Sequence, residues 1–90
     1  MKKGYVRLSP IPAGYPGEGG RARQRLKSNV FYEIKSIDIY SSSTTVTLKD
    51  IEEDFNSVLF NYYNEDKLLL EDDIMSKELS HLTHHNYFRG

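Results

Sequence analysis

The chain has 90 residues, with 12 Lys and Arg against 13 Asp and Glu, and it contains neither cysteine nor tryptophan. At that length it is expected to form a single domain, residues 1–90, whose core is too small to enclose a deep substrate cavity. The absence of cysteine excludes a disulfide framework, a thiolate zinc site and a cysteine nucleophile.

Gly4 to Leu8 alternates apolar and polar residues and predicts a first strand. Residues 9–27 hold all three prolines, four glycines and a run of arginines, which predicts a long basic loop. From Val30 the alternation resumes with Val30, Tyr32 and Ile34 on one face. Ile37 and Ile39 fall out of phase by one residue, which predicts a β-bulge or a bend near Lys35-Ser36. Thr44 to Leu48 is a regular strand with Val46 and Leu48 inward. Phe55 to Tyr63 is β-rich, with Val58 and Phe60 on one face, Leu59 on the other, and Tyr62 and Tyr63 on opposite faces. Lys67 to Leu70 has the length of a last short strand. From Glu71 the spacing of Met75, Leu79 and Leu82 predicts an amphipathic helix over residues 71–85. The longest apolar runs, Val58-Leu59-Phe60 and Leu68-Leu69-Leu70, fall far short of the ~20 residues of a membrane span. No signal-peptide pattern follows Met1-Lys2-Lys3, so a cytoplasmic protein with no membrane association is expected.

The stretch Lys27-Ser28-Asn29-Val30-Phe31-Tyr32-Glu33-Ile34 resembles the "L-x-x-N/G-x-x-Y-E-V" opening of small SH3-like proteins of bacteriophages and mobile elements. Leu48-Lys49-Asp50-Ile51 and then Phe55 to Phe60 are similar to the polar stretch and aromatic strand that follow in that family. The resemblance covers residues 26–63 together with Val6 to Leu8. It implies a viral or mobile-element origin and no particular activity. The expected fold is therefore mainly β: a small SH3-like antiparallel barrel of about five strands over residues 4–70, with the 9–27 loop after strand one and a C-terminal helix over residues 71–85. In a viral setting the cytoplasm would be the host's.

Charge is segregated along the chain. Residues 1–27 carry seven basic residues against Glu18 alone, and residues 28–90 carry five against twelve carboxylates. The bland reading is mutual neutralisation across the folded surface. The functional reading is a basic patch for an anion, for which Arg21, Arg23, Arg25 and Lys27 supply charge and Tyr15 a stacking ring. The stretch is no P-loop, because no Lys-Ser/Thr pair follows the glycines, and no dinucleotide fingerprint.

His81, His84 and His85 have metal-like spacing, with Asp72, Asp73 and Glu78 available as further ligands, but the motif is not His-Glu-x-x-His. They read as exposed histidines that suit a helix C-terminus, and no metal site is expected. The acidic runs Glu52-Glu53-Asp54 and Glu71-Asp72-Asp73 read as solvated turns. No catalytic residue and no cofactor is expected. The sequence thus predicts a non-enzymatic binding protein of phage or mobile-element type, acting on a host or viral protein partner. The alternative is a nucleotide or nucleic-acid binder, in a phage context an anti-defence protein that sequesters a signalling nucleotide. Self-assembly into a homo-oligomer is a third reading, because edge strands and a small core favour it.

Overall fold

A computed structural model describes residues 2–9 and 18–86 of the chain. Among these residues the elements are β1 (Tyr5–Leu8), α1 (Glu18–Arg25), β2 (Tyr32–Ile39), β3 (Thr44–Leu48), β4 (Asp54–Asn56), β5 (Phe60–Tyr63), α2 (Asp72–Glu78) and β6 (Thr83–His85). The strand path is β4-β3-β2-β1-β5 with antiparallel neighbours, and β6 joins β2 in parallel.

The sheet is open, which corrects the expected SH3-like barrel. Closing a barrel requires the end strands to pair edge to edge. Here β4 and β5 are the two ends of the path, and no ladder joins them among the described residues. Strand β4 has only three residues and runs straight into a 3-10 turn over Ser57–Leu59. The outer edge of β5 is taken by the following segment instead. Tyr63 bridges Leu69, and the Leu70 N–H donates to the Tyr62 carbonyl at 2.8 Å.

Strand β2 sets the topology. Its pairing with β3 slips between Ile34 and Ser36, so Lys35 is the extra residue of a bulge at the place where the apolar phase changes. The slip lets both Ile34 and Ile37 reach the core. On the other edge of β2, β1 pairs with Tyr32 and Glu33, and β6 pairs with Ile37, Asp38 and Ile39. One strand thus serves two successive partners along a single edge.

The core is wholly apolar at its centre. Val6, Val46, Leu48, Phe55 and Leu79 are fully buried, and no buried residue is charged among those described. Phe55 and Phe60 meet edge to face, with centroids 6.0 Å apart, an arrangement worth about 0.5–1.5 kcal/mol beyond the burial itself. Leu59 and Phe60 are both buried and Val58 is exposed, which breaks the strand alternation expected across this stretch. The cause is the 3-10 turn, which Asn56 caps by accepting the Val58 N–H at 3.2 Å.

Two further expectations change. The 9–27 segment is not all loop, because Glu18–Arg25 is helical. Ala22 and Leu26, four residues apart, are both buried, and the Leu26 N–H donates to the Ala22 carbonyl at 2.8 Å. Tertiary burial of that pair outweighs the weak helix propensity of Gly19 and Gly20. The expected C-terminal helix over 71–85 is also absent. Helix stops at Glu78, Ser80–Leu82 form a 3-10 turn, and Thr83–His85 is strand. The apolar spacing of Met75, Leu79 and Leu82 does mark a core-facing side, but Thr83–His85 fill the vacant edge of β2. The Thr83 hydroxyl donates to the Leu79 carbonyl at 2.8 Å and fixes that exit. No helix among the described residues is long and apolar enough to cross a membrane.

Candidate functional site

Alternation along three adjacent strands builds one face. On β1, Val6 points into the core, so Tyr5 and Arg7 point out. On β5, Tyr62 is buried and Tyr63 points out. Phe31, next to the inward-facing Tyr32, joins them. Register brings these side chains together, since Tyr5 pairs with Tyr63 and with Glu33, and Arg7 pairs with Asn61.

The result is a row of three rings flanked by two cations. Phe31 meets Tyr63 edge to face at 4.9 Å and Tyr5 at 6.4 Å. The Arg7 guanidinium lies 5.1 Å from the Phe31 centroid and 5.9 Å from that of Tyr63. The Lys67 ammonium lies 5.3 Å from Tyr5 and 5.6 Å from Phe31. These distances are within the ~6 Å reach of cation–π attraction. Arg7 is further held by Asn29, whose Oδ1 accepts from Nη2 at 2.8 Å. Asn29 and Lys67 both adopt a positive φ, at 62° each. Asn tolerates that region better than most residues.

Beside the row lies a polar cleft of about 450 Å³, lined by Arg7, Leu8, Ser9, Arg23, Ser28, Asn29, Asn61 and Tyr63. Among the described residues, two arginines line it and no acidic residue does. In a chain with more acids than bases, that exclusion marks a place suited to an anion.

The structure sorts the residues expected from sequence. Arg23, carried on α1, reaches the cleft. Arg25 turns away and pairs with Glu53, its Nε 3.1 Å from Oε1. The Lys27 backbone N–H donates to the Tyr32 hydroxyl at 2.7 Å, and its side chain is exposed. Tyr15 lies outside the described residues, as does the side chain of Arg21. Sequence reasoning missed Tyr5, Arg7, Phe31, Tyr63 and Lys67. The signal was available in β1, where Tyr5 and Arg7 are out of phase with Val6 and Leu8.

Elsewhere, His81 Nε2 donates to the Lys2 carbonyl, and His84 and His85 lie on β6. Among the described residues no three His, Asp or Glu side chains gather as a metal would require. On the opposite side of β5, a groove of about 550 Å³ is lined mainly by apolar side chains, among them Ile37, Phe60, Leu69, Met75 and Leu79. Tyr62 also lines it. Burial pushes the Tyr62 hydroxyl well above the usual phenol range, and that hydroxyl donates to the Ser57 carbonyl at 2.7 Å.

The fold and this face define a small, open-sheet β protein of a bacteriophage-associated family. The chain matches the family described as Bacteriophage T4 protein Y07B over residues 3–86 and belongs to that family. The phage association expected from sequence holds, whereas the SH3-like barrel does not. No curated protein and no solved structure matches the chain.

Proposed function

We propose that this phage-family protein is a non-enzymatic binder of ligands that carry both phosphate and planar rings, that is, nucleotides or nucleic acid. The observation that carries the reading is that Arg7 and Arg23 line a cleft with no acidic residue among the described ones, contiguous with the Phe31–Tyr63 rings. Two guanidinium forks suit phosphate oxygens, and the adjoining aromatic rings suit a base. The test is calorimetric titration with a nucleoside monophosphate such as AMP. Binding is expected for the wild type, lost in Arg7→Glu/Arg23→Glu, and retained in Arg25→Glu, since Arg25 is turned toward Glu53. Equal affinities in all three proteins, or no binding of either AMP or an oligonucleotide by any of them, would reject the reading.

A second reading, engagement of a host or viral protein, draws on the apolar groove. Its rim includes Val58 and Leu69, which are 50% and 61% exposed. Large side chains left in water beside a groove are common at protein contacts. Val58→Asp/Leu69→Asp is expected to abolish capture of such a partner without weakening nucleotide binding.

A further inference from the structure

A second cationic cluster lies beyond the aromatic row. A cleft of about 340 Å³ is lined by Lys2, Lys3, Lys35 and Lys49, with Glu33 as its one acid among the described residues. Lys3 and Lys49 approach Glu33 to 3.8 and 3.9 Å. That carboxylate is shared between two ammonium groups, so the cluster keeps a positive excess. All four lysines are exposed, and exposed pairs at such distances hold their partners weakly.

The cluster is continuous with the site already described. Glu33 is the cross-strand partner of Tyr5. Tyr5 is the end ring of the row and has Lys67 above it. The order across the face is thus Arg23 and Arg7, then Tyr63, Phe31 and Tyr5 with Lys67, then the Lys3, Lys35 and Lys49 cluster. Positive charge lies at both ends and the rings lie between.

A free nucleotide would use one end of this arrangement only. A duplex would keep its bases stacked away from the rings. A polynucleotide single strand would use all of it, with phosphates at both clefts and unstacked bases along the row. We infer that the ligand of this face is single-stranded nucleic acid running from the Arg7–Arg23 cleft across Phe31 and Tyr5 to the lysine cluster. The inference rests on the proposed phosphate-and-ring reading of the first cleft and extends it to a path.

The experiment compares AMP with fluorescein-labelled oligothymidylates of about 4 and about 12 nucleotides, lengths within the ~4–16 nucleotide site sizes of strand-binding domains. It uses the wild type and the variant Lys3→Gln/Lys35→Gln/Lys49→Gln, with circular dichroism to confirm that both are folded. The longer strand is expected to bind the wild type at least ~10-fold more tightly than AMP, with a salt dependence shallower by roughly 2 log units per log unit of salt in the variant, at ~0.7 per lost phosphate contact. AMP affinity is expected to be the same in both proteins. Equal affinity for AMP and the longer strand, or an unchanged salt slope in the variant, would overturn the path while leaving the first cleft as a nucleotide site. Binding of neither AMP nor oligonucleotide would overturn both. Tighter binding of a duplex than of the single strand would overturn the path alone.

Discussion

The Arg7 guanidinium lies 5.1 Å from the centroid of the Phe31 ring, on the face of the sheet turned away from the core. The two residues lie 24 positions apart in sequence, one on β1 and the other just before β2, and Asn29 accepts a hydrogen bond from the arginine. A cation held over a ring and fixed by a neutral acceptor keeps N–H groups available. It would lose little freedom on binding an anion, which is the basis of preorganised recognition.

Replacing Phe31 by Ala should weaken strand binding more than it weakens the fold. Removing one ring from such a platform costs about 1–3 kcal/mol per stacked base, or roughly 5- to 150-fold in affinity. Phe31 is half-buried rather than core, so its loss should lower stability by less than the roughly 3–5 kcal/mol typical of a buried Phe→Ala change. Anisotropy titration and urea unfolding of the same variant separate the two effects. A variant that loses stability but keeps its affinity would remove Phe31 from the site.

Leu26→Ala tests whether α1 is docked. Leu26 is 3% exposed and anchors the helix that carries Arg23. A loss of about 2–4 kcal/mol is expected from the transfer and cavity terms together. If the segment were a solvated loop, as its glycines and arginines imply when read alone, the change would be within about 0.5 kcal/mol.

Gly4→Ala should destabilise the fold. A Cβ there would stand 2.5 Å from Leu79 Cδ2 and 3.2 Å from both Ile34 Cδ1 and Leu82 Cδ1. Leu79 is 2% exposed and closely surrounded, so relief requires movement of packed neighbours. Overpacking of this kind costs about 1–3 kcal/mol. The expected readout is a lower urea midpoint with unchanged slope.

Alkaline unfolding should depend on Tyr62. Its hydroxyl titrates higher in the folded chain than the ordinary 10.0, because burial disfavours the phenolate. The folded state therefore holds the proton where the unfolded state has released it, and stability falls as pH rises above about 10. Below that pH both states are protonated and the group contributes no pH dependence. Tyr62→Phe should flatten the alkaline limb while costing about 1 kcal/mol at neutral pH through the lost bond to Ser57. An unchanged alkaline midpoint would contradict this account.

Local pattern determined a good deal of this protein. The alternation of Thr44 to Leu48, the one-residue slip at Lys35 and the opposed faces of Tyr62 and Tyr63 were legible because side-chain direction in a strand follows sequence parity. The concentration of arginine before residue 28 was also plain in the sequence, and Arg23 lines the cleft from there. Three features were decided only by tertiary structure. Whether the sheet closes depends on edges meeting at long range, and the outer edge of β5 is taken by the segment ending at Leu70. Whether Thr83–His85 continues a helix or adds a strand depends on the part of the β2 edge that β1 leaves vacant, which no local propensity encodes. The site residues Tyr5, Arg7, Phe31, Tyr63 and Lys67 are scattered through the sequence. Antiparallel register brings the outward positions of Tyr5, Arg7 and Tyr63 side by side, and the segments that carry Phe31 and Lys67 fold over them; register is a property of paired strands rather than of any one of them.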